Sequence, residues 1–559
     1  MLKLVECVPN FSEGRDMNII DAITNEISST EGVTLLDVDP GADTNRTVVT
    51  LIGIPEGVKE AAFKAIKKAS ELIDMRQHKG AHARMGATDV CPFVPVTGVT
   101  IEECIKISRE LGARVAEELR IPIYLYEDAA TRPERRNLAD IRQGEYEGLP
   151  EKLKDPEWKP DFGEPVFNPK SGATVTGVRE FLIAYNVNLN TKDRKLASDI
   201  ALTIREKGRL KRDEAGKVVR DKNGKALRVT GLLQACKAVG WYIKEYGQAQ
   251  ISINLVNYKI NPPHITFDTI CQEAEKRGLR VTGSELVGLI PLQAMLDAGR
   301  HYLLKQGKSP GVPEEELIQM AITSLGLTDI AEFDPQKKII EYQVKDIKGP
   351  LVKMDLRDFA NELSIDSPAP GGGSVSALAG ALASGLASMV ANLTIGKKEF
   401  NQVWEEMKET AVKAQALKDE LLLAVDRDTE VFNTIMAAFS MRKKTDDQKA
   451  ERNHAIQEAT KSACLVPLDV MKKSIEVLKL SHIVAEKGNE NAISDAGVSA
   501  LLALSAVEGA GLNVRINLRS LEDEAFVSKM KLEVNSLTLK ARQLQAEIID
   551  IVNSKIDKI

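Results

Sequence analysis

Apolar positions in the first 300 residues alternate between a two-residue and a helical period, and their order predicts an α+β fold. Strands are predicted at residues 2–8, 33–39, 46–54 and 90–96, and helices at residues 18–27 and 55–74. This β-α-β-β-α-β order is that of a ferredoxin-like unit, in which two helices cover one face of a four-stranded antiparallel sheet. A helix after Thr100, with Glu103 in capping-box register, and a strand at 121–126 extend the sheet.

The same order of elements recurs after a proline-rich passage at residues 129–177, which is either functional or a linker. Beyond it, strands are predicted at residues 179–189, 227–240, 248–258 and 279–288, and helices at residues 192–207 and 265–277. We therefore expect two similarly built halves that bind a ligand between them. The charged run 209–228 is typical of an exposed hairpin insertion.

After residue 350 the pattern changes to long helical periods rich in Ala, Leu, Lys and Glu, which predicts an all-helical bundle. Segments 374–393 and 493–510 have little polar face, so we expect them at the centre of the bundle or at a subunit interface. The predicted domains are two α+β subdomains, a linker and a helical domain, at residues 1–178, 179–305, 306–350 and 351–559.

Composition narrows the class of protein. The 559 residues include 75 basic and 81 acidic residues, so no protein-wide positive field favours nucleic acid. We expect no membrane span and no signal segment, hence a cytoplasmic protein without a membrane partner. The six cysteines are scattered, which argues against a disulfide framework or a zinc site.

Three polar segments in the first half could carry chemistry. Residues 76–84 place His78 and His82 in a glycine-containing loop, where a histidine suits general base work, although a plain surface histidine is the alternative. Their spacing also fits a pair of metal ligands on a helix, but Gly80 lies between them.

Residues 37–46 cluster Asp37, Asp39, Asp43 and Arg46 at a turn, which turn chemistry alone could explain. Residues 171–186 could close against a flat ligand, with Arg179 reaching an anion and Tyr185 stacking.

In the helical part, three glycines and Ser374 precede a helix whose free N–H groups could hold an anion. The lysine and the glycine spacing of a P-loop are missing, and close helix packing is the alternative role of the glycines. Asp426 and Asp428 interrupt an apolar helix, and Asp495 comes just before a nearly uncharged one. At the boundary of an apolar bundle, a carboxylate with a raised pKa can act as acid and base. Caps and exposed faces account for most such aspartates.

These segments resemble a known family. Residues 1 to about 330 are similar to glutamate formimidoyltransferase through VPNFSEGRD, HKGAHARMGATDVCPFVPV and VTGVREFLIAYNVNL. Residues from about 350 are similar to formimidoyltetrahydrofolate cyclodeaminase through APGGGSVSALAGALA, VDRD and SDAG. The order is that of the bifunctional formimidoyltransferase-cyclodeaminase family, and the resemblance covers nearly the whole chain.

The resemblance implies that the first half transfers a formimino group from N-formimino-L-glutamate to N5 of tetrahydrofolate. It makes His82 the catalytic base, and we assign Asp39 to stabilising the cationic adduct from its charge. The implied folate-binding stretch runs from Gly177 to Asn186 and includes Arg179, Phe181 and Tyr185. The second half would cyclise the product to methenyltetrahydrofolate and release ammonia, with Asp426 as acid and Asp428 and Asp495 in support. The residues expected to line its folate site are Gly371, Gly372, Gly373 and Ser374.

The resemblance further implies that no metal, nucleotide or redox cofactor is needed, because tetrahydrofolate is a co-substrate. It implies a homo-oligomer built from dimers and a polyglutamylated folate, whose tail the 209–228 insertion could guide. Two alternatives stay open. The helical domain could be a scaffold on an enzyme with transferase activity only, or it could be a methenyltetrahydrofolate cyclohydrolase.

Overall fold

The computed structural model describes residues 3–42, 44–80, 83–244, 246–343, 349–367 and 369–558. The chain divides into two compact units, residues 1–295 with 322–345, and residues 296–321 with 346–559. The first unit contains two β-sheets with their helices, and the second is predominantly helical. The predicted fold class is therefore confirmed.

The first sheet has seven strands. Its strands are β1 (Leu4–Cys7), β2 (Asn10–Phe11), β3 (Val33–Gly41), β4 (Arg46–Gly53), β5 (Thr88–Thr97), β6 (Ile123–Glu127) and β7 (Thr174–Val178). Its helices are α1 (Met17–Ser28), α2 (Pro55–Leu72), α3 (Ile101–Leu119), α4 (Leu138–Ile141) and α5 (Glu145–Lys152). β1 and β2 together pair with β4 on one side and β5 on the other, and β3 lies beyond β4, which is the ferredoxin-like order.

Two added strands extend this sheet. β7 pairs in parallel with β5, and β6 pairs in parallel with β7. The predicted extension by α3 and β6 is confirmed, and Thr100 and Glu103 form the predicted capping box. β7 itself was not predicted as a strand of this half. Its five residues, TVTGV, are too few to show a strand pattern, and they form a strand because they pair with β5 and β6 on both sides.

The second sheet has the strand order β11-β12-β8-β13 and is antiparallel throughout. Its strands are β8 (Ile183–Leu189), β11 (Cys236–Ile243), β12 (Gln248–Leu255) and β13 (Val281–Val287), and its helices are α6 (Arg194–Ile204) and α7 (Pro263–Glu275). This is a second ferredoxin-like sheet. The predicted strand at 227–240 is divided between β10 (Arg228–Val229) and β11, and β10 pairs with β9 (Arg209–Leu210) as the hairpin expected for the charged insertion.

Helices α8 (Leu292–Lys305), α9 (Glu314–Leu325) and α10 (Pro335–Lys338) follow the second sheet. Residues 296–321, which the sequence analysis gave to the second subdomain and the linker, cluster with the helical unit. The physical reason is the approach of Gly311 to α13, where a Cβ on Gly311 would overlap Ala411. Asn392 also donates a hydrogen bond to the Gly311 carbonyl at 2.7 Å.

The helical unit continues with six helices of nine residues or more. They are α11 (Leu356–Ser364), α12 (Gly372–Thr394), α13 (Trp404–Ser440), α14 (Asp446–Lys487), α15 (Ile493–Asn517) and α16 (Glu524–Ile556). The core is made largely of alanines from α12, α13 and α15, with Leu421, Met471 and Val514 among the larger side chains. Small side chains allow these helices to pack closely, as the sequence indicated.

The expectation that no segment has the length and apolarity of a membrane span was wrong. By length and composition two helices among the described residues qualify, Gly372–Thr394 and Glu490–Ser520, because their Ala, Gly, Leu and Val residues are interrupted by few charges. Of their apolar windows, 61% and 50% are buried inside the protein. Core helices of soluble proteins meet the same criteria, so the composition alone is weak support for a membrane span.

Two glycine substitutions test the packing of the units. Gly240→Ala in β11 would overlap the backbone of α6 at Ala197 and Ser198, so we expect a loss of about 2 kcal/mol in the free energy of unfolding. Gly385→Ala in α12 meets no atom within 4 Å, so we expect a gain of about 0.5–1 kcal/mol from helix propensity. Denaturant unfolding followed by circular dichroism measures both, and equal effects of the two substitutions would contradict the packing.

Candidate functional site

Asn45 joins its own turn to the segments that contain Gly14 and Lys79. Its backbone is left-handed, with φ 50°, and its side chain is buried. Its Oδ1 accepts a hydrogen bond from the Gly14 amide at 3.0 Å, and its Nδ2 donates to the Lys79 carbonyl at 3.1 Å. A Cβ on Gly80 would overlap the Thr44 backbone, so only glycine permits this approach. Segments that are far apart in sequence thus form one structure.

His78 is fixed by both of its ring nitrogens. Its Nε2 lies 2.9 Å from the Asn45 carbonyl, and Arg84 donates from Nε to its Nδ1 at 3.2 Å. A carbonyl can only accept and a guanidinium can only donate, so the ring is neutral with its proton on Nε2. Because both nitrogens are occupied, His78 is poorly placed to serve as a general base.

A cleft of about 650 Å³ opens beside this histidine. Its lining includes Met75, Arg76, His78, Lys79, Gly80, Arg84, Gly144, Glu145, Tyr146 and Glu147. The Arg84 fork donates to both carboxylate oxygens of Glu147, at 2.8 and 2.7 Å, and to Glu145 at 3.0 Å. The hydrogen bond with Arg84 lowers the pKa of Glu147. The volume suits a small-molecule ligand, and the lining is rich in charge.

The predicted residues of the first half are distributed around this region. His82 and Asp43 lie outside the described residues, although Gly80 and Arg84 on either side of His82 in sequence line the cleft. Asp37 and Asp39 are exposed on β3, where they pair with Thr50 and Val48 of β4. Both aspartates therefore lie on the sheet face away from α1 and α2.

The predicted folate-binding stretch does not present all of its side chains to a ligand. Phe181 is 4% exposed and Tyr185 is 1% exposed. Tyr185 lies in the core beneath α7, and burial raises its pKa. The proposal that Tyr185 stacks on a ligand is therefore not supported, because strand alternation turns it toward the helices. Gly177 is packed against the Tyr126 ring, with no room for a Cβ.

Asn186, next to Tyr185, lies on the opposite face of the second sheet. It donates to Glu285 Oε2 at 3.1 Å, and Gln250 donates to the same oxygen at 3.1 Å. Gln250 also donates to Asn188 at 2.9 Å and accepts from Trp241 Nε1 at 3.2 Å. This helix-free face is therefore a network of amides around one carboxylate, with the Trp241 ring 43% exposed beside it.

Arg179 lies beside a buried carboxyl group in the first sheet. Its amide donates to the Phe93 carbonyl at 3.2 Å, and its guanidinium contacts the Glu180 carbonyl at 3.1 Å. Glu6 is 5% exposed, and burial raises its pKa to about 7, against an opposing effect of the Arg179 charge and with a further rise from Glu341. Glu6 can therefore change charge near neutral pH.

In the helical unit, Asp428 of α13 lies against the start of α12. Its carboxylate occupies the space that a Cβ on Gly373 would need, and it accepts a hydrogen bond from the Ser374 backbone amide. Burial raises the pKa of Asp428, and hydrogen bonding by Ser374 opposes that rise. Ser374 also donates to the Val425 carbonyl at 2.7 Å. Gly373 and Ser374 are buried, so of the predicted loop Gly371 and Gly372 are the accessible residues.

Asp426 faces another way, because two residues along a helix turn the side chain by about 200°. One of its oxygens accepts from the Leu351 amide at 2.8 Å and the other from the Val352 amide at 3.2 Å. A Cβ on Gly349 would overlap its carboxylate. Asp426 is 5% exposed, and its two oxygens are both held by backbone amides of the segment before α11.

Asp495 lies apart from this pair. It occupies the first turn of α15, whereas Asn513 near the end of the same helix is the residue that approaches Gly372 of α12. The eighteen steps along the chain from Asp495 to Asn513 correspond to about 27 Å along a helix. Asp495 therefore does not join Asp428 at the start of α12.

Three family models match the chain. "Formiminotransferase domain, N-terminal subdomain" matches residues 4–179, "Formiminotransferase domain" matches residues 184–345, and "Formiminotransferase-cyclodeaminase" matches residues 355–536. The formimidoyltransferase-cyclodeaminase of Rattus norvegicus is 43% identical over 559 residues, which cover 99% of this chain and 100% of that relative. The chain belongs to the formimidoyltransferase-cyclodeaminase family.

Shorter relatives match each half of this family's chain separately. Glutamate formimidoyltransferase of Streptococcus pyogenes is 45% identical over 303 residues, covering 54% of this chain and 94% of that relative. Methenyltetrahydrofolate cyclohydrolase of Methylorubrum extorquens is 41% identical over 202 residues, covering 36% of this chain and 97% of that relative. Each half thus has counterparts that exist as separate proteins.

Sequence reasoning missed several residues that the structure brings to these sites. Glu145 and Glu147 lie in the proline-rich passage and reach Arg84 across more than sixty residues. Glu285 and Gln250 reach Asn186 only through the strand register of the second sheet. The two glutamates that follow Gly144 in close succession were the one sign of a site in the sequence, but no local pattern indicated that they contact Arg84.

The pH dependence of stability tests the state of Glu6. Its folded pKa of about 7 exceeds the ordinary value of 4.5, so its contribution is fully present below pH 4.5 and is lost as pH rises through 7. We expect wild type to lose about 3 kcal/mol more than Glu6→Gln between pH 4.5 and pH 8. Denaturant unfolding at both pH values measures this, and identical pH profiles would contradict the assignment.

Proposed function

We propose that the chain transfers the formimino group of N-formimino-L-glutamate to N5 of tetrahydrofolate and then cyclises the product to 5,10-methenyltetrahydrofolate with release of ammonia. The observation that carries this is the match of both halves, in one order and over 99% of the chain, to relatives named for the two activities. The proposed chemistry would belong to histidine degradation and one-carbon metabolism.

In the transfer step, N5 attacks the formimino carbon, the N5 proton passes to a base, and glutamate leaves with its nitrogen protonated. The hydrogen bonds of His78 support His82 as that base, because they leave His78 without a free nitrogen lone pair. Asp39, exposed on β3, keeps its proposed role of stabilising the cationic adduct. Arg179 and Asn186 remain the folate-contacting candidates of their segment.

In the cyclisation step, N10 attacks the formimino carbon and its proton passes to the imino nitrogen. That nitrogen takes a second proton from an acid, its bond to the carbon breaks, and ammonia leaves. The geometry favours Asp428 over Asp426 for this acid. Burial raises the pKa of Asp428, which lies beside the half-buried Gly371 and the exposed Gly372, whereas both oxygens of Asp426 are held by backbone amides. Asp426 instead positions the segment that precedes α11.

Tetrahydrofolate, with a polyglutamate tail, acts as a co-substrate, and the steps above need no metal, nucleotide or redox cofactor. The protein forms a homo-oligomer built from dimers. Apolar side chains exposed along α12 and α15 support this, since such side chains usually lie at interfaces. They include Val375, Leu382, Met389, Leu393, Val498, Leu501, Leu512 and Ile516.

A second candidate concerns the helical unit alone. The match to a methenyltetrahydrofolate cyclohydrolase favours hydrolysis of methenyltetrahydrofolate, with water as reactant instead of N10. Relatives that contain both halves in this order carry the cyclodeaminase name, so we place cyclodeamination first.

The assay that tests the proposed function mixes the purified chain with N-formimino-L-glutamate and tetrahydrofolate and follows ammonia and methenyltetrahydrofolate together. We expect equal amounts of both, because each cyclisation releases one ammonia. Accumulation of formiminotetrahydrofolate without ammonia would leave a transferase with a helical scaffold. Faster hydrolysis of added methenyltetrahydrofolate than cyclisation would favour the cyclohydrolase.

Asp428→Asn tests the acid of the cyclisation. We expect ammonia release from 5-formiminotetrahydrofolate to fall at least about 100-fold, because the amide cannot deliver the proton, while transfer to tetrahydrofolate continues. Asp426→Asn is the matched comparison, and we expect it mainly to lower the free energy of unfolding, by about 1–3 kcal/mol. The reverse pattern, with activity lost only in Asp426→Asn, would restore Asp426 as the acid.

A further inference from the structure

Arg84 is a buried cation at the wall of the cleft described above. Its side chain is 9% exposed, and its Nε is held by His78 at 3.2 Å, so the direction of its fork is fixed. The remaining donors point at Glu145 and Glu147. A guanidinium fork held in this way is well suited to bind one carboxylate through two parallel hydrogen bonds.

The two glutamates that contact Arg84 are held much less firmly. Their side chains are 45% and 64% exposed. They follow Gly144, with φ 89°, and Glu145 itself has a left-handed backbone, with φ 54°. A left-handed residue other than glycine costs about 1–2 kcal/mol, so the segment is strained where it meets Arg84. The cation is therefore a fixed part of the cleft, and its carboxylate partners are replaceable.

We propose that Arg84 binds the side-chain carboxylate of N-formimino-L-glutamate. In the substrate-free protein the Glu147 carboxylate occupies this position as an internal mimic of the substrate, and the substrate displaces it. This inference rests on the proposed function. The chemical match is direct, because Glu147 presents to Arg84 the same carboxylate on two methylene groups that the substrate carries. Lys79, exposed on the lining, supplies a second positive charge for the α-carboxylate.

Glu147 keeps the buried guanidinium of Arg84 paired when substrate is absent, which avoids the cost of an unpaired buried charge. It also weakens substrate binding, since only molecules in which Glu147 has released Arg84 can bind. Release of the segment 144–147 would at the same time widen the cleft beside Gly80, which precedes His82 by two residues in the sequence. The glutamate product would leave when Glu147 returns.

The experiment measures initial rates of transfer with the full-length chain, varying N-formimino-L-glutamate and tetrahydrofolate separately. Glu147→Gln should lower the KM for N-formimino-L-glutamate by about two- to fivefold, the range expected for an exposed ion pair. Arg84→Gln should raise that KM by about tenfold or more, the effect of losing a charge-assisted bidentate contact. Neither substitution should change the KM for tetrahydrofolate.

Glu118→Gln is the matched control, because Glu118 forms an exposed ion pair with Arg114 on α3 at 2.8 Å and does not line the cleft. It should leave both KM values unchanged. Glutamate binding, followed as a thermal shift, should be stronger in Glu147→Gln than in wild type, which gives a readout that does not depend on turnover.

The outcomes separate the possible sources of the carboxylate. An Arg84→Gln effect on the KM for tetrahydrofolate alone would assign the site to the folate tail and overturn the proposal. A raised KM for N-formimino-L-glutamate and a lowered melting temperature in Glu147→Gln would make the cluster structural and would also overturn it. An inactive wild-type chain would count against the proposed function itself, which is a separate result.

Discussion

The first unit depends on the position of Asn45 between three loops. Its side chain hydrogen-bonds the Gly14 amide and the Lys79 carbonyl, and its own carbonyl accepts from His78. His78 in turn fixes Arg84, and Arg84 pairs with Glu147. The shape and charge of the cleft therefore follow from one buried amide. This is possible because an amide offers a donor and an acceptor at fixed geometry.

The helical unit uses glycine to divide two aspartates between two roles. Gly373 lets Asp428 approach the start of α12, and Gly349 lets Asp426 approach the segment before α11. The helix periodicity points the two carboxylates in different directions, so one is satisfied by backbone amides and the other remains beside an accessible helix terminus. Burial without full hydrogen bonding is what raises the pKa of Asp428 and suits it to acid chemistry.

Much of the fold could be predicted from local patterns. The four long strands of each sheet, their helices and the Thr100 capping box are encoded by apolar periodicity and by cap residues within a few positions. β7 was missed because five small and β-branched residues are stable as a strand only between β5 and β6. Tyr185 was misplaced for a similar reason, since a shift of one residue along β8 exchanges the core face for the open face.

The sequence by itself determined the fold class and the order of the two kinds of domain, and it predicted the segments that carry the chemistry. Local periodicity and short motifs contain that information because each depends on residues close together in the chain. Only the tertiary structure decided that His78 is fixed, that Glu147 faces Arg84, and that Asp426 and Asp428 contact different segments. Those contacts join residues tens of positions apart, and their hydrogen-bond directions exist only once the loops and helices are packed.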